Sequence, residues 1–199
     1  MANWINNLEL EGQHVLLTPM NRSHKSGLLK AASDGKLWEL WFTSVPSELT
    51  INDYLEHAWS QQEKGFEYPF VVIDKKSGAI IGATRYYSIQ PEHRRLEIGY
   101  TWYASSYQRT AVNTECKLLL LGYAFEHLKC IAVQFMTSLY NTRSRAAITR
   151  LGAKQDGILR NHRLNSDGSY RDSVVFSITN QEWDGVKSAL ENKLEKHSN

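Results

Sequence analysis

Little in this chain points outside an ordinary reduced globular domain. It has two cysteines, and both Cys116 and Cys130 sit among apolar neighbours. Two thiols in such settings suit neither a disulfide framework nor a thiolate metal site. They read as buried, reduced thiols of a cytoplasmic protein. The densest apolar stretch, 118–125, is far shorter than the roughly 18 residues that a membrane span needs. The opening Met1-Ala2-Asn3-Trp4 lacks the basic start and apolar core of a secretory signal. The 7 histidines show no His-x-x-x-His or other ligand spacing, so no metal is expected. With Lys+Arg 23 against Asp+Glu 21 the formal charge is only +2, which gives no reason to expect direct nucleic-acid contact. One segment departs from that balance. Between 141 and 163 stand Arg143, Arg145, Arg150, Lys154, Arg160 and Arg163, with Asp156 as the sole acid. A basic run of this kind is either a solvated face or a surface for a phosphorylated ligand.

What is present is a regular alternation of elements. A short strand over 14–20 is closed by Pro19, and a weak helix follows over 21–32. The loop at 34–46 is rich in rings, Trp38, Trp41 and Phe42. Thr50 is placed to cap a second helix, which Gly65 stops. Strands over 66–73 and 79–89 read as a hairpin. A third, over 94–103, alternates with Leu96, Ile98, Tyr100 and Trp102 on one face and Glu97 on the other. A helix over about 112–128 is apolar round much of its circumference, as expected for one packed on a sheet. A strand over 131–137 follows, then a short helix capped by Asn141 and ended by Gly152. A closing hairpin turns at Asn165-Ser166-Asp167-Gly168. The tail from Gln181, 180–199, is a mixed-charge helix expected to fray. No linker, repeat or low-complexity segment interrupts this order. It predicts a single α/β (α+β) domain over 1–199, with a mixed, mostly antiparallel sheet of about seven strands flanked by helices.

The segment Tyr107-Gln108-Arg109-Thr110-Ala111-Val112-Asn113 carries the most chemistry. It lies where the third strand of the run passes into the leucine-rich helix. At such a junction the first backbone N–H groups of the helix lack partners, and the helix dipole adds positive potential, so phosphate or pyrophosphate is favoured there. Arg109 can add a charge-assisted hydrogen bond. An ordinary capped turn has the same local pattern.

Together, the Glu97-Ile98-Gly99-Tyr100 strand, the Gln108–Asn113 loop, the apolar helix and the strand leading to Asn141-Thr142-Arg143-Ser144 make the chain resemble the GNAT superfamily of acyl-CoA-dependent N-acetyltransferases. Within it the Rim-type branch of ribosomal-protein N-terminal acetyltransferases is the most similar. The resemblance implies acetyl-CoA as co-substrate, bound where two parallel strands splay apart. It implies pantetheine against the backbone at Ile98, Tyr100 and Trp102, and pyrophosphate on Gln108, Arg109, Thr110, Ala111, Val112 and Asn113. The family's loop has glycines where this chain has Ala111 and Asn113. Asn141 would touch the cofactor arm, with Arg143 and Arg145 near the nucleotide phosphates. Ser144 would protonate the leaving thiolate; the tyrosine that many relatives use for this corresponds to Ile148. The base is less defined: the glutamate used in part of the branch corresponds to Gln90, which leaves Glu97 or Glu92. For Glu97 an ion pair with Arg85 is the competing expectation. Trp38, Trp41, Phe42, Tyr86 and Tyr87 are the residues placed at the acceptor, and each equally suits a core position. The implied activity is acetyl transfer to a primary amine, either a protein or peptide N-terminus or a small molecule. A non-catalytic acyl-CoA-binding module is the alternative, and self-association as a homodimer stays open.

Overall fold

The computed structural model describes residues 4–40, 45–165 and 167–198, with no side-chain description for 197–198. The elements in order are β1 (Leu10–Glu11), β2 (Val15–Pro19), α1 (Lys25–Ser33), α2 (Ile51–Glu63), β3 (Tyr68–Asp74), β4 (Ile80–Gln90), β5 (Arg95–Tyr103), α3 (Ala111–Gly122), β6 (Ala132–Ser138), α4 (Thr142–Arg150), β7 (Lys154–Leu164), β8 (Tyr170–Thr179) and α5 (Trp183–Ser198). One sheet contains all eight strands in the order β1-β2-β3-β4-β5-β6-β8-β7. The additional strand is the short β1, which adds to the edge of β2. Every neighbouring pair is antiparallel except β5 and β6.

The sheet separates two apolar clusters. On one face Leu96, Ile98, Val133, Phe135, Val174 and Phe176 pack with Cys116, Leu120 and Leu121 of α3, Ile148 of α4 and Leu190 of α5. On the other, Val71, Ala83 and Trp102 pack with Leu28 and Ala32 of α1 and Leu55 and Ala58 of α2. Burial on this scale is the main stabilising term. Both cysteines are buried and free, and burial pushes each thiol up to about 12.

Helix α3 is fixed at more than its apolar face. Glu115 accepts backbone hydrogen bonds from Gln13, His14 and Val15 at 2.7, 2.9 and 3.0 Å. The carboxylate thereby satisfies donors at the start of β2 that would otherwise be buried without partners. Gly12 makes room for it, since a Cβ there would lie 2.5 Å from Glu115 Cδ.

Three local expectations change. The α3 helix ends at Gly122 and passes into a π-helical turn over Tyr123–His127. Thr50 makes no side-chain cap to α2; its hydroxyl accepts the Ser47 N–H at 2.9 Å instead. The tail helix is docked over its first half. Trp183, Val186 and Leu190 enter the core, and Trp183 Nε1 and Lys187 Nζ both donate to Glu126 Oε1 at 2.9 Å.

Candidate active site

The cleft arises from a mismatch in strand pairing. β6 keeps its partner β8 along its whole length, from Ala132 to Ser138. With β5 it pairs only through Arg95↔Ala132, Leu96↔Val133 and Glu97↔Gln134. Beyond Glu97, β5 continues for six more residues with β4 on one side and no strand on the other. A bulge accompanies the divergence. The β4–β5 register shifts between Ala83↔Trp102 and Arg85↔Gly99, so Tyr100 and Thr101 together oppose Thr84. Tyr100 has φ +51, in the left-handed region, at a cost of roughly 1–2 kcal/mol for a non-glycine residue. Such a bulge bends a strand and raises its twist, which turns β5 away from β6.

The bulge also overturns the single-face reading of the strand. Leu96 and Ile98 face α3. After the extra residue, Tyr100 and Trp102 face the α1–α2 side. Tyr100 packs against Tyr87 and beneath Arg85, and Trp102 donates to the Tyr54 hydroxyl at 3.4 Å. The Trp102 carbonyl is turned toward β4, where a Cβ on Gly82 would meet it at 2.2 Å, so the free edge of β5 does not include it.

At the mouth of the cleft, Thr110 caps α3 by accepting from Val112 N at 3.3 Å, while its own hydroxyl donates to Tyr107 O at 2.7 Å. Arg109 carries the left-handed backbone, φ +62, and Ala111 does not, so alanine serves there without strain. Among the described residues the N–H groups of Arg109, Ala111 and Asn113 find no acceptor in the chain. Gln108 bridges two elements, donating to Tyr103 O at 3.0 Å and accepting from Arg143 at 3.4 Å. Asn141 accepts from Ser144 N at 3.0 Å and so caps α4, as its position predicts. Arg145 is turned inward, donating to Leu139 O at 3.3 Å. Arg109 and Arg143 are exposed.

The face of the sheet opposite α3 is lined here by side chains. Gly99 has no Cβ, and one would meet the Tyr87 ring at 2.5 Å, so the ring lies directly across the strand. Tyr87 is the cross-strand partner of Glu97. Burial pushes its phenol well up, and the Glu97 carboxylate adds to the effect. Glu97 Oε2 is buried with no hydrogen-bond partner, a costly state that is expected at functional positions. The anticipated Glu97–Arg85 pair is absent. Arg85, 1% exposed, instead pairs with Glu67 at 2.8 Å and lies between the Tyr54 and Tyr100 rings at 4.7 and 4.5 Å.

Tyr86 does not line the cleft. It is fully buried on the α3 side and donates to Leu120 O at 2.6 Å. Trp38 is at the surface, and Trp41 and Phe42 lie outside the described residues. Glu92 is exposed in the turn beyond β4, at the end of the strand away from the divergence.

Sequence reading missed a buried cation. Lys117 of α3 is 5% exposed and donates to Thr101 Oγ1 at 2.8 Å and Thr84 Oγ1 at 3.4 Å, beneath the bulge. Burial lowers its pKa to about 8. Its signal was visible: Glu115 and Lys117 interrupt an otherwise apolar helix. The Arg85–Glu67 pair had no such signal, because Glu67 stands just before β3 and Arg85 within β4, with nothing local to couple them.

Among the described residues no group of His, Cys, Asp and Glu could hold a metal ion, and no helix is long and apolar enough to cross a membrane.

Residues 14–154 match the acetyltransferase (GNAT) domain family. Over 110 residues the chain is 31% identical to a Bacillus subtilis (strain 168) protein named as a ribosomal N-acetyltransferase, YdaF, covering 55% of this chain and 59% of that one. It therefore spans less than two thirds of that relative's length. A GCN5-related N-acetyltransferase from Brucella melitensis superposes with a TM-score of 0.84 at 27% identity, over 96% of this chain and 86% of that one. Mycobacterium smegmatis RimJ, solved with CoA-disulfide, shares the fold at a TM-score of 0.74 and 21% identity, over 90% and 88% of the two chains. The likeness to YdaF agrees with the Rim-type branch, and RimJ shares the fold. This chain, with its single mixed sheet opening between β5 and β6, belongs to the GNAT acetyltransferase family.

Proposed function

We propose that the protein moves an acetyl group from acetyl-CoA to a primary amine by direct attack on the thioester. The observation that carries this reading is the open backbone edge of β5 beyond Glu97, ending in unpartnered N–H groups at the start of α3, in a chain of the acetyltransferase family. An extended pantetheine arm has the hydrogen-bonding groups to take the place of the missing strand. The diphosphate fits the N–H groups of Arg109, Ala111 and Asn113, with the Arg109 and Arg143 guanidinium groups nearby.

The chemistry then follows from the groups at the narrow end. The attacking amine must be neutral, and Glu97, whose buried Oε2 has no hydrogen-bond partner and whose carboxylate acts on the Tyr87 phenol, takes its proton directly or through a water. A backbone N–H of the bulged strand donates to the oxyanion, a contact worth about 3 kcal/mol in comparable acyl transfers. When the carbon–sulfur bond breaks, Ser144 supplies a proton to the thiolate. Only its backbone N–H is engaged within the chain among the described residues, which leaves the hydroxyl available. Asn141 orients this helix start. The acceptor is the N-terminus of a protein, for which YdaF's name is the precedent, or a small-molecule amine.

Thiol release from acetyl-CoA over a panel of amines and peptide N-termini tests the reading. Turnover with at least one amine, lowered about tenfold or more by Ser144→Ala with CoA affinity retained, is the expected result. CoA binding with no turnover on any amine would support the binding-module alternative. Full turnover in S144A would remove Ser144 from the acid role.

A further inference from the structure

The acceptor side holds two arginines that nothing in the chain neutralises. The β7–β8 register sets Arg163 opposite Arg171, a like-charge cross-strand pair that is destabilising on its own. Among the described residues neither forms an ion pair with a carboxylate. Arg171 Nε is buried with no hydrogen-bond partner. Burial, then the Arg163 charge, lowers the Arg171 pKa, the direction expected of a cation lacking its counter-ion. Asp172 accepts from Asn161 N at 2.7 Å and Asp156 from Ser177 Oγ at 3.0 Å, and Glu97, the remaining acid on this side among the described residues, forms no ion pair with either arginine.

Their placement ties them to the cleft. In β8, Val174, Phe176 and Ile178 point into the core on the α3 side. Arg171, two residues from Ser173 and four from Val175, falls on the opposite face by the alternation of the strand. That face also carries Glu97 and Tyr87. The Tyr87 phenol is coupled electrostatically to Glu97 and Arg163, and Arg171 to Tyr87 and Arg163, which agrees with their shared face. An anion held between the arginines would relieve their repulsion and satisfy the orphaned Nε.

We propose that Arg163 and Arg171 form an anion-binding end of the acceptor site, so that the acceptor is a primary amine that also bears a carboxylate or phosphate. The anion docks on the two guanidinium groups while the amine is presented toward Glu97. This rests on the acetyl-transfer reading and narrows its substrate class. Bidentate guanidinium contacts suit either anion; the amine panel below separates the two.

The test uses matched acceptors with acetyl-CoA: ethanolamine against phosphoethanolamine, putrescine against 4-aminobutyrate, and peptide amides with alanine or glutamate after the N-terminal residue. Anionic members should exceed their neutral partners in kcat/KM by roughly ten- to a hundredfold, the range for a hydrogen bond to a charged group. Arg163→Gln, at an exposed position, should lower kcat/KM for anionic amines more than tenfold further than for neutral ones, through KM. Arg171→Gln should do the same and Arg171→Lys should restore part of the loss. A preference for the phosphate or the carboxylate pair names the anion. Equal use of neutral and anionic amines, or equal losses on both in R163Q, would overturn the inference while leaving acetyl transfer intact. Should no amine release thiol, the transferase reading fails. The anion site is then read by calorimetry of phosphoethanolamine with CoA-saturated protein. Heat that disappears in R163Q supports it, and no heat in the wild type refutes it.

Discussion

The two ends of the cleft are built from different material. The end proposed for the nucleotide is backbone: a strand edge released by β6, and helix-start N–H groups set by the Thr110 cap. The end proposed for the acceptor is side chain: Glu97 with a buried unpartnered oxygen, Tyr87 across Gly99, Arg85 locked to Glu67, and the Arg163–Arg171 pair. A backbone site tolerates sequence change, since every residue supplies the same donors. That is how Ala111 and Asn113 can stand where the family has glycine. A side-chain site has no such redundancy. Substitutions should therefore act weakly at the first end and strongly at the second.

The sharpest way to break this contrast is at Glu97. If its carboxylate accepts the amine proton, Glu97→Gln should lower kcat by about 10²- to 10⁴-fold, steady-state rates being the measurement, with CoA affinity unaltered. A loss under threefold would move the base elsewhere. Next in size is the buried ion pair behind the acceptor face. Glu67→Gln leaves Arg85 charged and unpaired between two rings, and removing one partner of such a pair costs roughly 3–5 kcal/mol. Denaturant unfolding should show that loss. A small change would mean that the Tyr54 and Tyr100 faces alone hold the cation.

Lys117 links the two ends, because it ties α3 to the bulge, and its effect depends on pH. Folded, it titrates near 8 against an ordinary 10.5. Between those values the unfolded chain holds a proton that the folded chain has shed, so stability rises with pH across that window. Below about 8 both states hold it, and the folded state bears the whole cost of the buried ammonium. At 1.36 kcal/mol per pKa unit that cost is on the order of 3 kcal/mol. Lys117→Met should therefore stabilise the protein at pH 7, less the hydrogen bonds to Thr101 and Thr84, and flatten the rise between pH 8 and 10. Melting curves across that range check both. The smallest effect is expected at the nucleotide end: Arg109→Ala should weaken CoA by no more than about fivefold, because an exposed charge contributes at most about 1 kcal/mol. A hundredfold loss in calorimetry would show that the side chain, not the backbone, grips the diphosphate.

The same contrast governs what could be read from the sequence. Caps and helix ends are local, so Asn141 and Gly152 declared themselves through residue type and spacing, whereas Thr50 bonds Ser47 instead of its helix and Thr110 emerged as the α3 cap only in the structure. The strand of the cleft was harder. Its alternation gave Leu96 and Ile98 correctly, but the bulge moved Tyr100 and Trp102 to the other face. Neither glycine nor asparagine marked the left-handed position. Tyr86 and Tyr87 were assigned together, although adjacent residues in a strand face opposite ways: one fills the core and the other borders Glu97. Arg85's true partner lies across the sheet in sequence-distant Glu67, and Arg163 meets Arg171 only once the hairpin register is set. Local chemistry was legible, whereas pairings made by register were not.

Amide hydrogen exchange with and without coenzyme A tests the central claim most directly. The account predicts new protection at the open edge of β5 beyond Glu97, and at Arg109, Ala111 and Asn113, with little change along β2 and β3. Coenzyme A that leaves those amides exchanging as before, or protects a different surface, would contradict it.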